Sequence, residues 1–547
     1  MRAEDLKHRK VRIGPLPIIN ACIDKLGLRE LLRETLGNER YADAIELLIK
    51  NVLIEPAALY RISGWARHMD PEELGAGPLS DDVLARSLDK LFGADRATFQ
   101  TQVTLAAITR YNVDVSQIHN DSTSVKVHGE YKRQSNKAIN LKRGHSKDHR
   151  PDLKQLLYNL SIARDGAVPI HFKAHDGNKT DDRLHIENWL ALRSLVGTST
   201  FLYVADSKLC TTENMMRIDR EQGRFVTIVP RTRRETVQFG EECYQATVRW
   251  KRLARRRSTR RRGEYDIFSI PTESYQLEEG FRLYWYRSSE KKKRDAASRK
   301  ERIESASRKL AELNERRGRG RTTEASLLRK AGKVLDRHRA SAWFSVTIKH
   351  RQEEEFTKTT RGKPSSESMY RRTVKRVPHL VVKLNEEAIA RAKAIDGVFP
   401  LTTNTSLTAK EALEAYKYQP HIEKRFAAMK SDLYVAPLFL KKNERIESLM
   451  LVVYLADLVA ALIQRELRLA MKKHGVQTLR TLPEERPSKT PTWEQIQRLF
   501  ANHCKYQVLR NEKVLRTFWD DLSEEQLQVM TLLGIPLHRF TGPRTAG

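Results

Sequence analysis

The first hundred residues place apolar side chains at the spacing of helices. Apolar positions recur every three or four residues over 18–26, 44–53 and 57–65, which predicts helices that each bury one face. Ser80 precedes two aspartates and a further periodic stretch, the pattern of an N-cap with acids in the first turn. Residues 1–112 are therefore predicted to form a helical domain that binds DNA or, alternatively, serves dimerisation or packing.

The pattern then changes to that of strands. β-branched and apolar residues partly alternate with polar ones over 115–127, and two further strands are predicted over 156–163 and 168–174. A helix over 184–195 and a buried-type strand over 201–205 follow. Three strands in a meander, a helix and another strand are the element order of a ribonuclease H-like core. In that α/β fold, acidic residues lie at strand ends beside a central cleft.

Residues 224–395 interrupt this order and are predicted to be an insertion domain. A charged helical hairpin over 291–339 is expected to turn near residues 317–320. The strand candidates in this segment are 225–229, 281–286, 343–348 and 380–383. The predicted domains are 1–112, 113–223 as the first part of the core, 224–395, 396–472 as the second part of the core, and 473–547.

The core is predicted to resume with a strand over 398–403 and a long apolar helix over 446–471. Its most apolar run, 449–463, is interrupted by Asp457 and is shorter than the roughly 20 residues that span a bilayer. We therefore expect a core helix and no membrane partner. A proline-rich linker then leads into a C-terminal region predicted to be helical, with a capping box at Ser523.

The charge composition of the chain predicts a polyanionic partner. The chain has 100 Lys and Arg against 69 Asp and Glu, a net charge of +31, which indicates a polyanion, most often nucleic acid. The strongest basic run, 251–262, either contacts the DNA backbone or stays solvated. Its candidate contacts are Arg255, Arg256, Arg257, Arg260, Arg261 and Arg262. The four cysteines are isolated and the N-terminus lacks a signal-peptide pattern, so a reducing cytoplasm is expected.

Three acids stand at positions that suit a metal site. Asp121 lies within a predicted strand, Asp206 directly follows another, and Glu423 lies on a helix predicted to begin at Pro420. Acids are disfavoured in strands and are rarely buried unless they are paired or metal-bound. Three converging carboxylates would offer hard oxygen ligands to Mg²⁺ or Mn²⁺. Two such ions support in-line phosphoryl displacement, in which water or a 3′-hydroxyl is the nucleophile.

Each acid also has a structural alternative. Asp121 could serve a turn or a cap, Asp206 could cap the helix that follows it, and Glu423 could form a surface ion pair. The competing residues are Asp114 for Asp121, Asp219 for Asp206, and Lys424 or Arg425 as partners of Glu423.

The chain resembles the DDE transposases of bacterial insertion sequences, in the large class with a Tyr-x2-Arg-x3-Glu-x6-Lys motif and in a subgroup with a long helical N-terminal domain. The resemblance runs from about residue 15 to residue 540. The matching motifs are Leu79-Ser-Asp-Asp82, Arg86-Ser-Leu-Asp-Lys-Leu91, His119-Asn-Asp121-Ser-Thr123, Ser146-Lys-Asp-His-Arg-Pro-Asp-Leu-Lys-Gln155, Asp176-Gly-Asn178, Ala205-Asp-Ser207, Asp396-Gly397, Thr403-Asn404 and Tyr416 to Lys430.

The resemblance implies a catalytic triad of Asp121, Asp206 and Glu423 that binds two Mg²⁺ ions. It implies cleavage at the terminal repeats of the element, joining to target DNA, and a homodimer assembled on DNA. Tyr416 and Lys430 match the motif and are predicted DNA contacts. Gln419 stands where the motif has Arg, so other basic residues would have to supply that phosphate contact.

Four further DNA contacts are predicted. Trp285 is a counterpart of an aromatic residue that stacks on a flipped base in relatives, with a place in the core as the alternative. Lys147, Arg150 and Lys154 are candidate backbone contacts, with a structural ion network as the alternative. The predicted function is a cut-and-paste transposase. The alternatives are a two-metal nuclease without strand transfer and a transposon-derived DNA-binding protein that has lost catalysis.

Overall fold

The structure is a computed structural model, and the chain divides in it into two compact units. Unit 1 comprises residues 1–227, 404–406 and 411–547, and unit 2 comprises residues 228–403 and 407–410. The residues that the structure describes are 6–131, 136–144, 152–179, 181–258, 263–315, 323–359, 361–364, 366, 368–431 and 440–542.

The described residues form a mixed α/β structure. The helices are α1 (Leu16–Leu26), α2 (Leu28–Leu36), α3 (Glu39–Ile54), α4 (Leu59–Arg67), α5 (Pro71–Leu74), α6 (Asp81–Gly93), α7 (Arg96–Tyr111), α8 (Asp181–Val196), α9 (Thr212–Arg220), α10 (Arg234–Tyr244), α11 (Ser289–Glu315), α12 (Glu324–Arg337), α13 (Glu386–Ala394), α14 (Ala409–Tyr416), α15 (Pro420–Ser431), α16 (Asn443–Lys473), α17 (Trp493–Phe500), α18 (Glu524–Leu533) and α19 (His538–Thr541).

The strands alternate with these helices along the chain. They are β1 (Leu6–Arg12), β2 (Gln117–Val127), β3 (Lys154–Ala163), β4 (Pro169–Asp176), β5 (Leu202–Ala205), β6 (Arg224–Ile228), β7 (Trp250–Arg257), β8 (Tyr265–Pro271), β9 (Tyr275–Gln276), β10 (Arg282–Ser288), β11 (Phe344–Lys358), β12 (Tyr370–Leu384), β13 (Val398–Thr403), β14 (Cys504–Arg510) and β15 (Lys513–Trp519).

The strands of unit 1 that matter for the site lie in the order β4-β3-β2-β5-β6. β2, β3 and β4 form an antiparallel meander, whereas β5 and β6 run parallel to β2. Helix α8 connects β4 to β5, because a parallel return requires a crossover. The predicted order of three strands, a helix and a strand is confirmed, and so is the mixed α/β class.

Helix α16 is the centre of unit 1. Its 31 residues pack against α1, α3, α6 and α18 and against strand β4. By length and composition α16 could cross a membrane, but 89% of its most apolar 18-residue window is buried inside the protein. That burial is typical of a core helix, as predicted. Asp457 interrupts the apolar run because its carboxylate accepts from the buried Arg425 guanidinium at 3.2 Å.

The N-terminal helices begin where the sequence places capping residues. The side chains of Asn38, Ser80 and Asp95 each accept from a backbone N–H three residues further along the chain. Each cap satisfies one of the donors that a helix start leaves unpaired. The helices then bury their apolar faces in the same compact unit as α16.

The C-terminal region is not wholly helical, so that prediction is wrong. Strands β14 and β15 form a hairpin, and β1 from the N-terminus pairs with β14 to complete a three-stranded antiparallel sheet. The turn of the hairpin is made by Asn511 and Glu512, which both have positive φ. Glutamate is an unusual residue for that conformation, so the sequence carries little turn signal there. The capping box at Ser523 is confirmed.

Unit 2 contains a sheet in the order β13-β10-β8-β7, with β9 also paired to β10. Four predicted strands correspond to β6, β10, β11 and β12, although β11 and β12 are each 15 residues long and extend far beyond their predicted bounds. The charged helical hairpin is confirmed as α11 and α12, and its predicted turn lies outside the described residues. Strands β7 and β8 are absent from the prediction. In β7, Lys and Arg residues obscure the alternation of apolar and polar positions.

Candidate active site

Asp121 lies on β2, and Asp206 directly follows the neighbouring parallel strand β5. In the pairing of β2 with β5, His119 lies opposite Val204, and each aspartate follows its residue of that pair by two positions. Adjacent strands are about 5 Å apart. The fold therefore brings together two acids that are 85 positions apart in the sequence, at the end of β5 where the strand gives way to a turn.

The carboxylate of Asp206 contacts a backbone N–H and a histidine ring. Its Oδ1 accepts from the backbone N–H of Lys208 at 3.0 Å and lies 3.3 Å from Nε2 of His185. The other ring nitrogen of His185 lies 3.2 Å from the hydroxyl of Tyr203. Residues 207–208 form a turn and the next helix, α9, is capped by Thr211, so Asp206 does not cap a helix as the alternative proposed. Its side chain is 39% exposed. The competing Asp219 instead accepts from Asn404.

Glu423 is exposed on α15, the helix that packs against β2 and β3. As predicted, the helix begins at Pro420 and carries Lys430 as well. Arg425 does not serve as a partner of Glu423: it donates to Asp457 at 3.2 Å and to the carbonyl of Ala167 at 3.1 Å. These contacts bind α15 to α16 and to the turn between β3 and β4, and they fix the helix that carries Glu423.

Tyr416 is the common neighbour of the three acids. Burial raises the pKa of its phenol, and the charges of Asp206, Asp121 and Glu423 raise that pKa further. The pKa of Tyr203 is raised by burial and by the same two aspartates. A negative charge acts on a phenol in this way only over a short distance, since solvent screens exposed charges. Asp121, Asp206 and Glu423 therefore all act electrostatically on Tyr416.

The donor set has the chemistry of a site for a hard divalent cation. All three candidate ligands are carboxylates, the oxygen donors that Mg²⁺ and Mn²⁺ prefer. Within the part of the chain that the structure describes, no group of three or more His, Cys, Asp and Glu side chains is close enough to hold a metal ion. Asp121 and Asp206 thus form a pair on neighbouring strands, and Glu423 lies on the helix that packs against β2.

Gln419 is buried and joins α15 to the strand that carries Asp121. Its Nε2 donates to the carbonyl of Asn120 at 3.0 Å, and its Oε1 lies 2.8 Å from Nδ1 of His119. Gln117 donates to Nε2 of His119 at 2.8 Å, so Nδ1 carries the proton and donates to Gln419. Burial lowers the pKa of His119 to about 4, which keeps the ring neutral. The residue that departs from the motif therefore makes internal contacts.

The predicted DNA contacts lie in different environments. Lys430 is half-buried, and Lys154 donates to the backbone carbonyls of Glu130 and Tyr131. Arg255, Arg256 and Arg257 are exposed on β7, the edge strand of the unit 2 sheet. The guanidinium of Arg255 lies 3.6 Å from the ring centre of Tyr265. The predicted contacts outside the described residues are Lys147, Arg150, Arg260, Arg261 and Arg262.

Trp285 occupies a place in the core of unit 2. Its side chain is 2% exposed and stacks on Phe239, with ring centres 3.9 Å apart and planes at 6°. A flipped base would have to displace Phe239 to reach this indole face. The packing corrects the prediction of a base-stacking Trp285 in favour of its core alternative.

Sequence reasoning missed three residues that position the site. His185 supports Asp206, His119 holds Gln419, and Asp457 binds Arg425. Asp457 offered a signal, since an acid inside an apolar helical run requires a buried partner. The two histidines offered none, because a single histidine on a helix or strand is common in protein cores.

Comparison with known proteins adds little to this geometry. No protein-family model matches the chain, and no curated protein matches it. One similar solved structure is the piggyBac transposase in a synaptic complex with hairpin DNA, determined by cryo-EM, with 10% sequence identity and a TM-score of 0.25. The match covers 51% of this chain and 62% of that chain, less than two thirds of its length. A TM-score this low carries no argument, so the site stands on its own geometry.

Proposed function

We propose that the protein is a DDE transposase of a bacterial insertion sequence. One observation carries the proposal: Asp121 on β2 and Asp206 at the end of the neighbouring parallel strand β5 each stand two positions beyond the pair of His119 with Val204. Carboxylates that share a small volume repel one another, so such an arrangement is costly unless a cation balances it.

The sheet supports a ribonuclease H-like core. Its central strand β2 carries the first acid, an antiparallel meander lies on one side, and the parallel strand β5 that leads to the second acid lies on the other. Glu423 comes from a helix that packs on this sheet. The positions of the two strands match the element order of three strands, a helix and a strand from which the fold was inferred.

Within this proposal, Asp121, Asp206 and Glu423 would hold two Mg²⁺ or Mn²⁺ ions. When bound, such ions activate the attacking oxygen and stabilise the leaving oxygen of a phosphodiester. The chain itself orients the ligands. His185 and the N–H of Lys208 fix Asp206, and Gln419 fixes the backbone next to Asp121. Arg425 fixes the helix of Glu423 through its buried ion pair.

The partners of the proposed reaction are duplex DNA at the terminal repeats and at the target. The net charge of +31 supports a DNA partner. A homodimer on DNA and a place at the nucleoid in the bacterial cytoplasm belong to the same proposal. Lys430 and Arg255 to Arg257 are proposed DNA contacts because they are basic and at least partly exposed.

The test uses the full chain, Mg²⁺ and labelled duplexes that carry the DNA flanking the coding region. Asp121→Asn and Asp206→Asn are expected to abolish both cleavage and joining while DNA binding is retained. Asp114→Asn is the matched control, because Asp114 is an exposed acid just before β2 that accepts from its own turn. Cleavage that survives in either site variant would overturn the proposed site, and cleavage without joining would leave a nuclease.

A further inference from the structure

Strands β11 and β12 form a long two-stranded ribbon whose outer half is exposed on both faces within the part of unit 2 that the structure describes. Fifteen residue pairs join the strands, from Phe344 with Leu384 to Lys358 with Tyr370. The base of the ribbon packs on α11 and α12 through Phe344 and Leu380. Beyond the base, 349–357 and 370–376 are exposed at nearly every position. At about 3.3 Å per residue this outer part is roughly 30 Å long.

A two-stranded ribbon without a packed face is marginally stable by itself. Cross-strand ion pairs support this one: Glu354 pairs with Arg372 and Glu355 pairs with Lys375. These pairs also neutralise the acids of the ribbon. The two strands carry eight Lys and Arg against three Glu, a net charge of +5 on 30 residues, compared with +31 on 547 for the chain. The ribbon is thus a concentrated, exposed positive charge.

The edges of the ribbon are unsuited to pairing with another strand. Pro378 lies within β12 and has no N–H to donate, and Lys and Arg side chains line β12 on both faces. Proline and charge on an edge strand are the features that prevent edge-to-edge association. A second copy of the chain added as a further strand is therefore disfavoured.

The exposed face combines positive charge with large apolar groups. Phe356 and Tyr370 are 59% and 49% exposed, and the pairing of Phe356 with Arg372 and of Lys358 with Tyr370 places them on one face. The major groove of DNA is about 12 Å wide and admits a two-stranded ribbon. Arginine there contacts phosphates or guanine, and apolar side chains contact the thymine methyl group.

We infer that the β11–β12 ribbon is a DNA-binding arm that lies in the major groove of duplex DNA. The inference rests on the proposed function for its partner, and it adds a surface that the catalytic site does not include. Arg371 and Arg376, which are exposed on opposite faces of β12, contact phosphates along the groove, and Phe356 contacts base edges.

The test compares two triple variants of the full chain that lose the same charge. The arm variant is Lys349→Gln, Arg371→Gln and Arg376→Gln, and the control is Arg329→Gln, Lys330→Gln and Lys333→Gln, which are exposed on α12 of the same unit. Duplex affinity is measured from 50 to 200 mM salt, with Mg²⁺-dependent cleavage in the same samples. We expect the arm variant to bind at least tenfold more weakly, with a salt slope reduced by about 2 to 3.

The control is expected to bind within twofold of the wild-type protein. A charge-preserving variant, Arg371→Lys with Arg376→Lys, is expected to restore most of the affinity, which distinguishes lost contacts from a misfolded arm. Equal losses in the arm and control variants would overturn the inference, because only net charge would then matter. So would unchanged affinity in the arm variant. If the arm variant keeps its affinity and also cleaves DNA as the wild-type protein does, the proposed function would still stand.

The inference would also be contradicted if the ribbon binds a second copy of the chain instead of DNA. Phe356→Ser with Tyr370→Ser would then convert a DNA-free dimer to a monomer in sedimentation, with duplex affinity unchanged. We expect the opposite result: the same sedimentation as the wild-type protein, and weaker duplex binding. A wild-type protein that binds no duplex DNA would overturn the proposed function and the arm together.

Discussion

The buried ion pair between Arg425 and Asp457 should control how firmly the helix of Glu423 is held. The side chains are 7% and 4% exposed, and their 3.2 Å contact joins α15 to α16. Asp457→Leu leaves the guanidinium buried without its counter-charge. Removal of one partner of such a pair costs about 3 to 5 kcal/mol. The guanidinium keeps its bond to the carbonyl of Ala167, so we expect about 3 kcal/mol.

Hydrogen exchange read by mass spectrometry measures this loss locally. A loss of about 3 kcal/mol corresponds to roughly a hundredfold faster exchange, and we expect it in peptides that cover Pro420–Ser431. The control is the double variant Arg425→Met with Asp457→Leu, which removes both charges and should recover most of the protection. Exchange in α15 that changes less than threefold in Asp457→Leu would refute the reasoning. So would a double variant that is less protected than the single one.

Three further predictions follow from buried groups. Burial lowers the pKa of His175 to about 4, so the folded protein favours the neutral imidazole. The stability from the neutral ring is fully present above the unfolded pKa of about 6.5 and is lost as the pH falls towards 4. The loss is about 3 kcal/mol in the free energy of unfolding. Urea unfolding at pH 7 and pH 4.5 measures it, and His175→Gln should flatten the dependence. Gln419→Leu removes the partners of His119 and of the Asn120 carbonyl, so DNA cleavage should fall at least tenfold with duplex binding unchanged; equal cleavage would refute the positioning role. Trp285→Ala should cost about 3 to 5 kcal/mol in thermal unfolding because the indole is core, and an unchanged Tm would contradict that packing.

The central elements of the fold could be predicted because their patterns are local. The strands that carry the site alternate or run apolar, and α16 repeats apolar residues at helical spacing. The hairpin of β14 and β15 escaped prediction because its turn uses Glu512 in a conformation that usually calls for Gly or Asn. Strand β7 escaped because five of its eight residues are Lys or Arg, so charge obscured its period.

The positions of the acids were predictable, but the contacts that hold them were not. The sequence pattern predicts that Asp121 lies in a strand and that Asp206 directly follows one, as in the structure. Their alignment depends on the register between β2 and β5, which is a long-range property. The same holds for Gln419: its departure from the motif was visible, but its bonds to His119 and Asn120 join residues about 300 positions apart.

The most direct test of the central claim maps the metal site without any DNA cleavage. Fe²⁺ bound in place of Mg²⁺ reduces added hydrogen peroxide to hydroxide and hydroxyl radicals, with ascorbate returning Fe³⁺ to Fe²⁺, and the radicals cut the nearby protein backbone. We expect cuts in three segments that are distant in sequence, close to residues 121, 206 and 423. Added Mg²⁺ should suppress these cuts by competing with Fe²⁺, and they should disappear in Asp121→Asn but not in Asp114→Asn. Cuts elsewhere in the chain, or cuts that persist unchanged in Asp121→Asn, would contradict a shared metal site of Asp121, Asp206 and Glu423.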